Sequence, residues 1–120
     1  MNILARFPRR ARLLKPGEFE AVFAGGKRES VPLLTVIVLR NELRHARLGL
    51  AVARKNIPSA VLRNRVKRHI RESFRQNQQR LPSVDLVFLP RAAAQNAPAA
   101  TIRQQLQRLW TRIAEQWPTH

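Results

Sequence analysis

Residues 59–78, SAVLRNRVKRHIRESFRQNQ, decide how this chain folds, because they combine a helical apolar stripe with a dense row of cations. One side of a helix drawn through this segment collects Leu62, Val66, Ile70, Ser73 and Phe74. The opposite side collects Arg65, Arg68, Arg71 and Arg75. Since residues three and four apart share a helix face, the segment predicts a helix with one side in the core and one cationic side.

Strands are predicted before and after this helix. Residues 33–39 (LLTVIVL) and 48–52 (LGLAV) are nearly continuously apolar and flank a polar turn at residues 41–46. We expect these two strands to form an antiparallel pair. Residues 84–89 (VDLVFL) predict a third strand, and residues 27–31 allow an additional short one.

Two more helices are predicted near the ends of the chain. Residues 16–23 begin with proline, continue with glutamate and stop before Gly25 and Gly26, a composition typical of a short helix. Pro98 opens a last helix. Its apolar residues recur at spacings of three and four, namely Ile102, Leu106, Leu109, Trp110, Ile113 and Trp117.

The predicted order is helix, strand, strand, helix, strand, helix, with the optional short strand after the first helix. This order indicates an α+β fold, an α/β sandwich in which a mixed four-stranded sheet packs on helices. Residues 48–52, 59–78 and 84–89 are able to form a strand–helix–strand crossover, for which the general rule predicts a right-handed connection. No internal repeat or long linker divides the chain, so residues 1–120 are expected to form a single domain with a basic arm at residues 1–12.

The charge balance points to a polyanionic partner. The chain has 23 Lys and Arg against 7 Asp and Glu, a formal net charge of +16. A nucleic-acid backbone is the partner that best suits this positive electrostatic potential, because its binding releases counterions. An anionic membrane surface is the weaker alternative, since the apolar side of the helix is needed for the core. Residues 54–75 hold eight of the cations and one acid, and we expect this segment to contact successive phosphates.

The sequence offers little material for catalysis or metal binding by the chain itself. It has no cysteine, its three histidines (His45, His69 and His120) show no ligand spacing, and its seven acids are scattered. We therefore expect no metal site and no catalytic residue. No apolar run is long enough to span a membrane, and no secretory signal is evident, so the protein is expected in the cytoplasm.

The basic helix carries a long and specific motif. It runs Arg63-Asn64-Arg65-Val66-Lys67-Arg68 and continues as Ile70-Arg71-Glu72-Ser73-Phe74-Arg75. This pattern resembles the signature of the bacterial ribonuclease P protein component. The similarity also covers Arg12-Leu13, Glu18-Phe19, Val22-Phe23, residues 47–52 and Arg54-Lys55, and thus most of the chain.

The resemblance implies a function in transfer RNA (tRNA) processing. Members are the accessory protein subunit of an endonuclease, a ribonucleoprotein hydrolase that removes the 5′ leader of precursor tRNA. The RNA subunit carries the catalysis and its Mg²⁺ ions, so the chain alone is not expected to be a nuclease. The implied partners are the ribonuclease P RNA, with one protein per RNA, and the precursor tRNA. The resemblance also implies an unusual left-handed crossover in place of the general right-handed one.

The resemblance further implies the site residues. Those inheriting an RNA-binding role are Arg54, Lys55, Arg63, Asn64, Arg65, Lys67, Arg68, Arg71 and Arg75. A cleft between the first helix and the sheet holds the single-stranded leader, and its lining corresponds to Phe19, Phe23 and Lys55. An aromatic face beside a basic groove suits this task, because it stacks unpaired bases of any sequence. Ile37 stands where some members carry an aromatic residue.

Two other functions use the same features. A general structural RNA-binding protein, such as a ribosome-associated one, needs the same charge and fold, yet it would show no preference for a leader-bearing precursor. A chain that is itself a nuclease needs clustered carboxylates for metal ions, and the scattered acids disfavour it.

Overall fold

The computed structural model describes residues 9–117, which contain three α-helices and four strands. The helices are α1 (Pro16–Gly25), α2 (Ala60–Asn77) and α3 (Ala99–Gln116). The strands are β1 (Lys27–Ser30), β2 (Leu34–Arg40), β3 (Arg47–Leu50) and β4 (Val84–Pro90). The predicted α+β order, including the additional short strand, is confirmed. None of the helices in the described residues is long and apolar enough to span a membrane.

The sheet is mixed and has the order β1-β2-β4-β3. β2 pairs antiparallel with β1 and with β4, whereas β3 pairs parallel with β4. The predicted pairing of residues 33–39 with residues 48–52 is therefore wrong, because β4 lies between the two strands. All but one of the residues of β4 are buried, so the strand needs cover on both faces and takes a central place, where both of its edges are hydrogen-bonded.

The predicted crossover unit is present as β3, α2 and β4. Its two strands are direct neighbours and run parallel, with Leu48 opposite Leu86. The left-handed sense of this crossover stays a prediction. The unit places α2 against the sheet with its cationic side outward.

The larger of two cores fills the space between the sheet and helices α2 and α3. Phe74 of α2, Phe88 of β4 and Trp110 of α3 are fully buried and form its centre. The Trp110 ring lies 5.3 Å from the Phe88 ring and 6.1 Å from the Phe74 ring, centroid to centroid. The Trp110 Nε1 donates a hydrogen bond of 2.8 Å to the Ser73 Oγ, which explains why a serine lies within the apolar stripe of α2.

The smaller core lies on the other face of the sheet, beneath α1. Its buried residues are Leu13, Val22, Ile37 and Val87. Phe19 packs against them and against the backbone of Gly49, where a Cβ atom would lie 2.7 Å from the ring. Only glycine at this position of β3 lets α1 approach the sheet so closely.

The segment before α1 lies along the free edge of β3. Arg12 forms an isolated parallel bridge with Leu48, and the Leu13 backbone N donates to the Leu48 carbonyl at 2.9 Å. The last residues of the predicted basic arm are thus joined to the sheet. Residues 1–8 of that arm lie outside the described residues.

Candidate nucleic-acid interface

The outer side of α2 presents the cations that the sequence singled out. The helix begins after Ser59, whose Oγ accepts a hydrogen bond of 3.3 Å from the Leu62 N and so satisfies one free backbone donor. The buried residues Val66, Ile70 and Phe74 fix its inner side. On the outer side, Asn64, Arg68 and Arg71 are exposed.

The two arginines of the Arg-Asn-Arg motif are partly engaged by the protein itself. The Arg63 Nη1 donates to the carbonyls of Ile57 and Pro58 at 2.9 and 2.8 Å. The Arg65 Nη2 donates to the Ala97 carbonyl at 2.7 Å. Both side chains are half-buried. These arginines therefore tie α2 to the loops before it and before α3.

A groove runs along the β3 edge beside α2. Its cavity has a volume of about 490 Å³. Its lining includes Arg12, Phe19 and Gly49 on the side of α1 and β3, and Lys67 and Arg71 on the side of α2. An aromatic ring thus shares one groove with three cationic side chains, a combination that suits an unpaired nucleic-acid strand.

The predicted leader-cleft residues do not all lie at this groove. Phe19 lines it, with part of its ring packed on Gly49. Phe23 lies one turn further along α1, is 46% exposed and is not part of the lining. Lys55 is exposed in the loop between β3 and α2, also outside the lining. Ile37 is 1% exposed and packs in the smaller core, so it offers no stacking surface.

The remaining predicted RNA contacts differ in how much free charge they carry. Arg54 is exposed in the same loop as Lys55. Arg75 forms a salt bridge with Glu72 one turn earlier, and its hydrogen bond holds the pKa of the Glu72 carboxyl below the ordinary value. Part of the Arg75 charge is therefore neutralised within the protein.

A polar network that the sequence reasoning missed holds α1 beside the groove. The Arg47 guanidinium donates to both carboxylate oxygens of Asp85, at 2.9 and 2.7 Å, and to the Glu18 carboxylate at 2.6 Å. Glu18 also accepts backbone hydrogen bonds of 2.9 Å from Leu14 and Lys15 at the start of α1. The network joins α1 to both parallel strands.

The charge on this network is strongly stabilised. The backbone donors of Lys15 and Leu14, together with Arg47, lower the pKa of Glu18 from 4.5 to about 2. The hydrogen bonds to Asp85 and Glu18 raise the pKa of Arg47. A glutamate two residues after Pro16 is a recognisable helix-start signal, whereas Arg47 and Asp85 meet only because β3 and β4 are parallel neighbours.

Two of the three histidines lie within the described residues, at different places in the fold. His45 contacts the carbonyls of Leu43 and Arg10 through its two ring nitrogens, at 3.0 and 2.9 Å. His69 is half-buried, and burial together with Arg65, Arg103 and Arg68 lowers its pKa. His120 lies outside the described residues. Within residues 9–117 no three His, Cys, Asp or Glu side chains come together to hold a metal ion.

Comparisons with known proteins identify a family with this arrangement. A family model described as Ribonuclease P matches residues 7–114. The chain is 42% identical over 112 residues to the ribonuclease P protein component of Yersinia enterocolitica. The aligned region covers 93% of this chain and 94% of that protein. The RNase P protein structure from Thermotoga maritima matches with a TM-score of 0.77 at 33% identity, covering 85% of this chain and 96% of the other. That from Staphylococcus aureus matches with a TM-score of 0.79 at 28% identity, covering 85% and 94%.

These matches extend over sequence and fold together, so they confirm the resemblance that the motif on α2 indicated. The chain belongs to the bacterial ribonuclease P protein family: it is a protein component of this RNA-catalysed endoribonuclease, acts in the 5′ maturation of tRNA and has the ribonuclease P RNA as its partner.

Proposed function

We propose that this chain aids leader removal by binding two RNAs at once, the ribonuclease P RNA on the outer side of α2 and the 5′ leader of precursor tRNA in the groove beside Phe19. The observation that carries this proposal is the division of the α2 cations. Lys67 and Arg71 line the groove, whereas Arg68 is not part of its lining. One helix thereby offers cations to two polyanions, which reduces the repulsion between them.

The RNA-subunit surface consists of Asn64 and Arg68 with Arg54 and Lys55 in the preceding loop. Arg75 contributes less, because Glu72 compensates its charge. Arg63 and Arg65 act in two ways: each keeps a positive charge near this surface, and each fixes the loops that flank α2 through its carbonyl hydrogen bonds.

The leader surface combines stacking and charge. Phe19 lines the groove, Phe23 adds an exposed ring on the same helix, and Lys55 is exposed in the loop before α2. Base stacking on aromatic rings tolerates any sequence, which suits an enzyme that processes many precursors.

The proposal also covers the metal ions, the stoichiometry and the location of the reaction. The Mg²⁺ ions are assigned to the RNA subunit, because a chain of net charge +16 repels divalent cations and attracts phosphates. One protein per RNA, a single RNA-binding domain over residues 1–120 and action in the cytoplasm complete the proposal.

The leader assignment is tested with the holoenzyme reconstituted from the ribonuclease P RNA and this protein, at low Mg²⁺. Phe23→Ala is compared with Leu43→Ala, since these two apolar side chains are similarly exposed at 46% and 44%. We expect Phe23→Ala to weaken binding of precursor tRNA about fivefold or more and to leave mature tRNA unchanged, by loss of one stacked base. Leu43→Ala should change neither. Equal losses for precursor and mature tRNA would refute the leader assignment and favour a general RNA-binding role.

The RNA-subunit assignment needs a separate measurement. Arg68→Glu is compared with Arg108→Glu, an exposed arginine of α3. We expect the first variant to bind the ribonuclease P RNA at least about tenfold more weakly, with a salt dependence reduced by about one counterion. A similar loss in both variants would mean that only total charge matters.

A further inference from the structure

A second cationic groove lies between α2 and α3. Its cavity has a volume of about 380 Å³, and Arg68, His69 and Ser73 from α2 face Arg103 and Gln107 from α3 across it. It is separate from the groove beside Phe19, which α2 lines with Lys67 and Arg71. Helix α2 thus has a cationic groove along each flank.

Two arginines that line this groove make no ion pair within the described residues. Arg68 and Arg103 are exposed, and neither makes a hydrogen bond or ion pair with residues 9–117. The acid that lines the groove, Glu72, is held by Arg75 and also accepts from the Gln76 side chain at 3.5 Å. Two guanidinium groups therefore remain available for an anion.

The lining of the groove includes the buried Ser73. The Ser73 Oγ is fixed by the Trp110 indole at 2.8 Å, and the tightly packed rings of the larger core lie beneath it. His69 is half-buried at the wall, and burial, together with the charges of Arg65, Arg103 and Arg68, lowers its pKa. A group that neutralises these arginines would remove the repulsion that disfavours the protonated imidazole.

We propose that the groove between α2 and α3 binds one phosphate group of RNA, through the guanidinium groups of Arg68 and Arg103 and the imidazole of His69. Planar guanidinium groups form paired, charge-assisted hydrogen bonds with phosphate oxygens, and a protonated imidazole adds one more donor. The inference rests on the proposed function only in that RNA supplies the phosphate. It extends the RNA interface to α3, on which the sequence analysis named no RNA contact.

The first test is a nuclear magnetic resonance titration of the full chain with sodium sulfate, against sodium chloride at equal ionic strength. Sulfate mimics a phosphate group and keeps its charge throughout the pH range of histidine titration. We expect sulfate to raise the pKa of His69 by about half a unit or more, because a bound anion favours the imidazolium. A response of His69 to sulfate no larger than its response to sodium chloride would overturn the proposal.

The second test compares Arg103→Gln with Arg108→Gln, two exposed arginines of α3 of which only the first lines the groove. We expect Arg103→Gln to weaken sulfate binding about tenfold through loss of charge-assisted hydrogen bonds, and Arg108→Gln to change it less than about twofold by its more distant charge. Equal losses would show diffuse attraction and overturn the site.

A third measurement identifies the source of the phosphate. Binding of the ribonuclease P RNA should weaken in Arg103→Gln by about the factor seen with sulfate, and hardly in Arg108→Gln. Sulfate binding at His69 with equal RNA affinity of the two variants would overturn RNA as the occupant. The leader assignment fails in the precursor assays and the RNA-subunit assignment in the Arg68→Glu assay, whereas this site fails in the sulfate titration and with Arg103→Gln, so the proposals fail separately.

Discussion

The two faces of the sheet are covered in different ways. On one face, α2 and α3 together enclose a large apolar core around Trp110, Phe74 and Phe88. On the other face, α1 covers a few apolar side chains and is held additionally by the polar network around Arg47. The face covered by α2 and α3 therefore supplies most of the stability of the fold, while the attachment of α1 is weaker and leaves a groove for a ligand.

This difference follows from where the functional groups must lie. Helix α2 belongs to the stable face, and its cations are therefore presented by a rigid support. Helix α1 brings Phe19 to the groove, and its position depends on one glycine and one ion-pair network. Changes beneath α1 should thus affect leader binding more than global stability.

The largest expected effect comes from opening the stable face. Trp110→Ala leaves a cavity beside Phe74 and Phe88 and removes the donor to Ser73, at an expected cost of about 3–5 kcal/mol in the free energy of unfolding. The matched pair is Val66→Ala on α2 and Val22→Ala on α1, both fully buried, with expected costs of about 3 and about 2 kcal/mol. Urea denaturation measures the loss in the free energy of unfolding for each variant. Equal losses would contradict the claim that the face covered by α2 and α3 supplies most of the stability.

A smaller effect is expected from moving α1 without opening a core. In Gly49→Ala the new methyl group would lie 2.7 Å from the Phe19 ring and 3.0 Å from the Leu13 Cδ1. The helix must shift, at an expected cost of about 1–3 kcal/mol and with weaker binding of precursor but not of mature tRNA. Gly17→Ala on α1 is the control, because a Cβ atom at Gly17 meets nothing within 4 Å. If Gly49→Ala bound precursor tRNA normally, leader binding would not depend on the position of α1, which would contradict the prediction.

Much of the fold could be predicted from local patterns. The apolar stripes of α2 and α3 fix both helices, and Pro16 with the glycine pair after Ala24 delimits α1. The strand order could not be predicted, because residues 33–39 and 48–52 are equally apolar and adjacent in sequence. Only the two-sided burial of β4 in the folded chain explains why it lies between them.

The candidate site shows the same division. The motif on α2 indicated the cationic surface, since charge spacing on a helix is visible in sequence. The carbonyl hydrogen bonds of Arg63 and Arg65 depend on the paths of two loops, and the groove of Arg103 depends on how α3 packs against α2. Such contacts join residues distant in sequence, and no spacing rule indicates them.

The smallest expected effect is the pH-dependent contribution of Glu18 to the stability of the α1 face. The pKa of Glu18 lies at about 2 instead of 4.5, so the folded state favours its carboxylate more than the unfolded state does. The stability gained from this charge is complete above pH 4.5 and is lost as the pH falls from there toward 2. We expect Glu18→Gln to cost about 1 kcal/mol at neutral pH, through the lost charge on the helix-start donors and on Arg47.

The measurement is the unfolding free energy of the wild type and of Glu18→Gln between pH 2 and pH 7, with Glu20→Gln, an exposed neighbour on α1, as control. The difference between wild type and Glu18→Gln should shrink as the pH falls below 4.5, because the wild-type side chain then becomes neutral as well. Added salt should reduce the same difference at neutral pH, since the Glu18 side chain is 25% exposed. A difference that stays constant across this range would show that the shape of the side chain, and not its charge, holds α1 at the sheet.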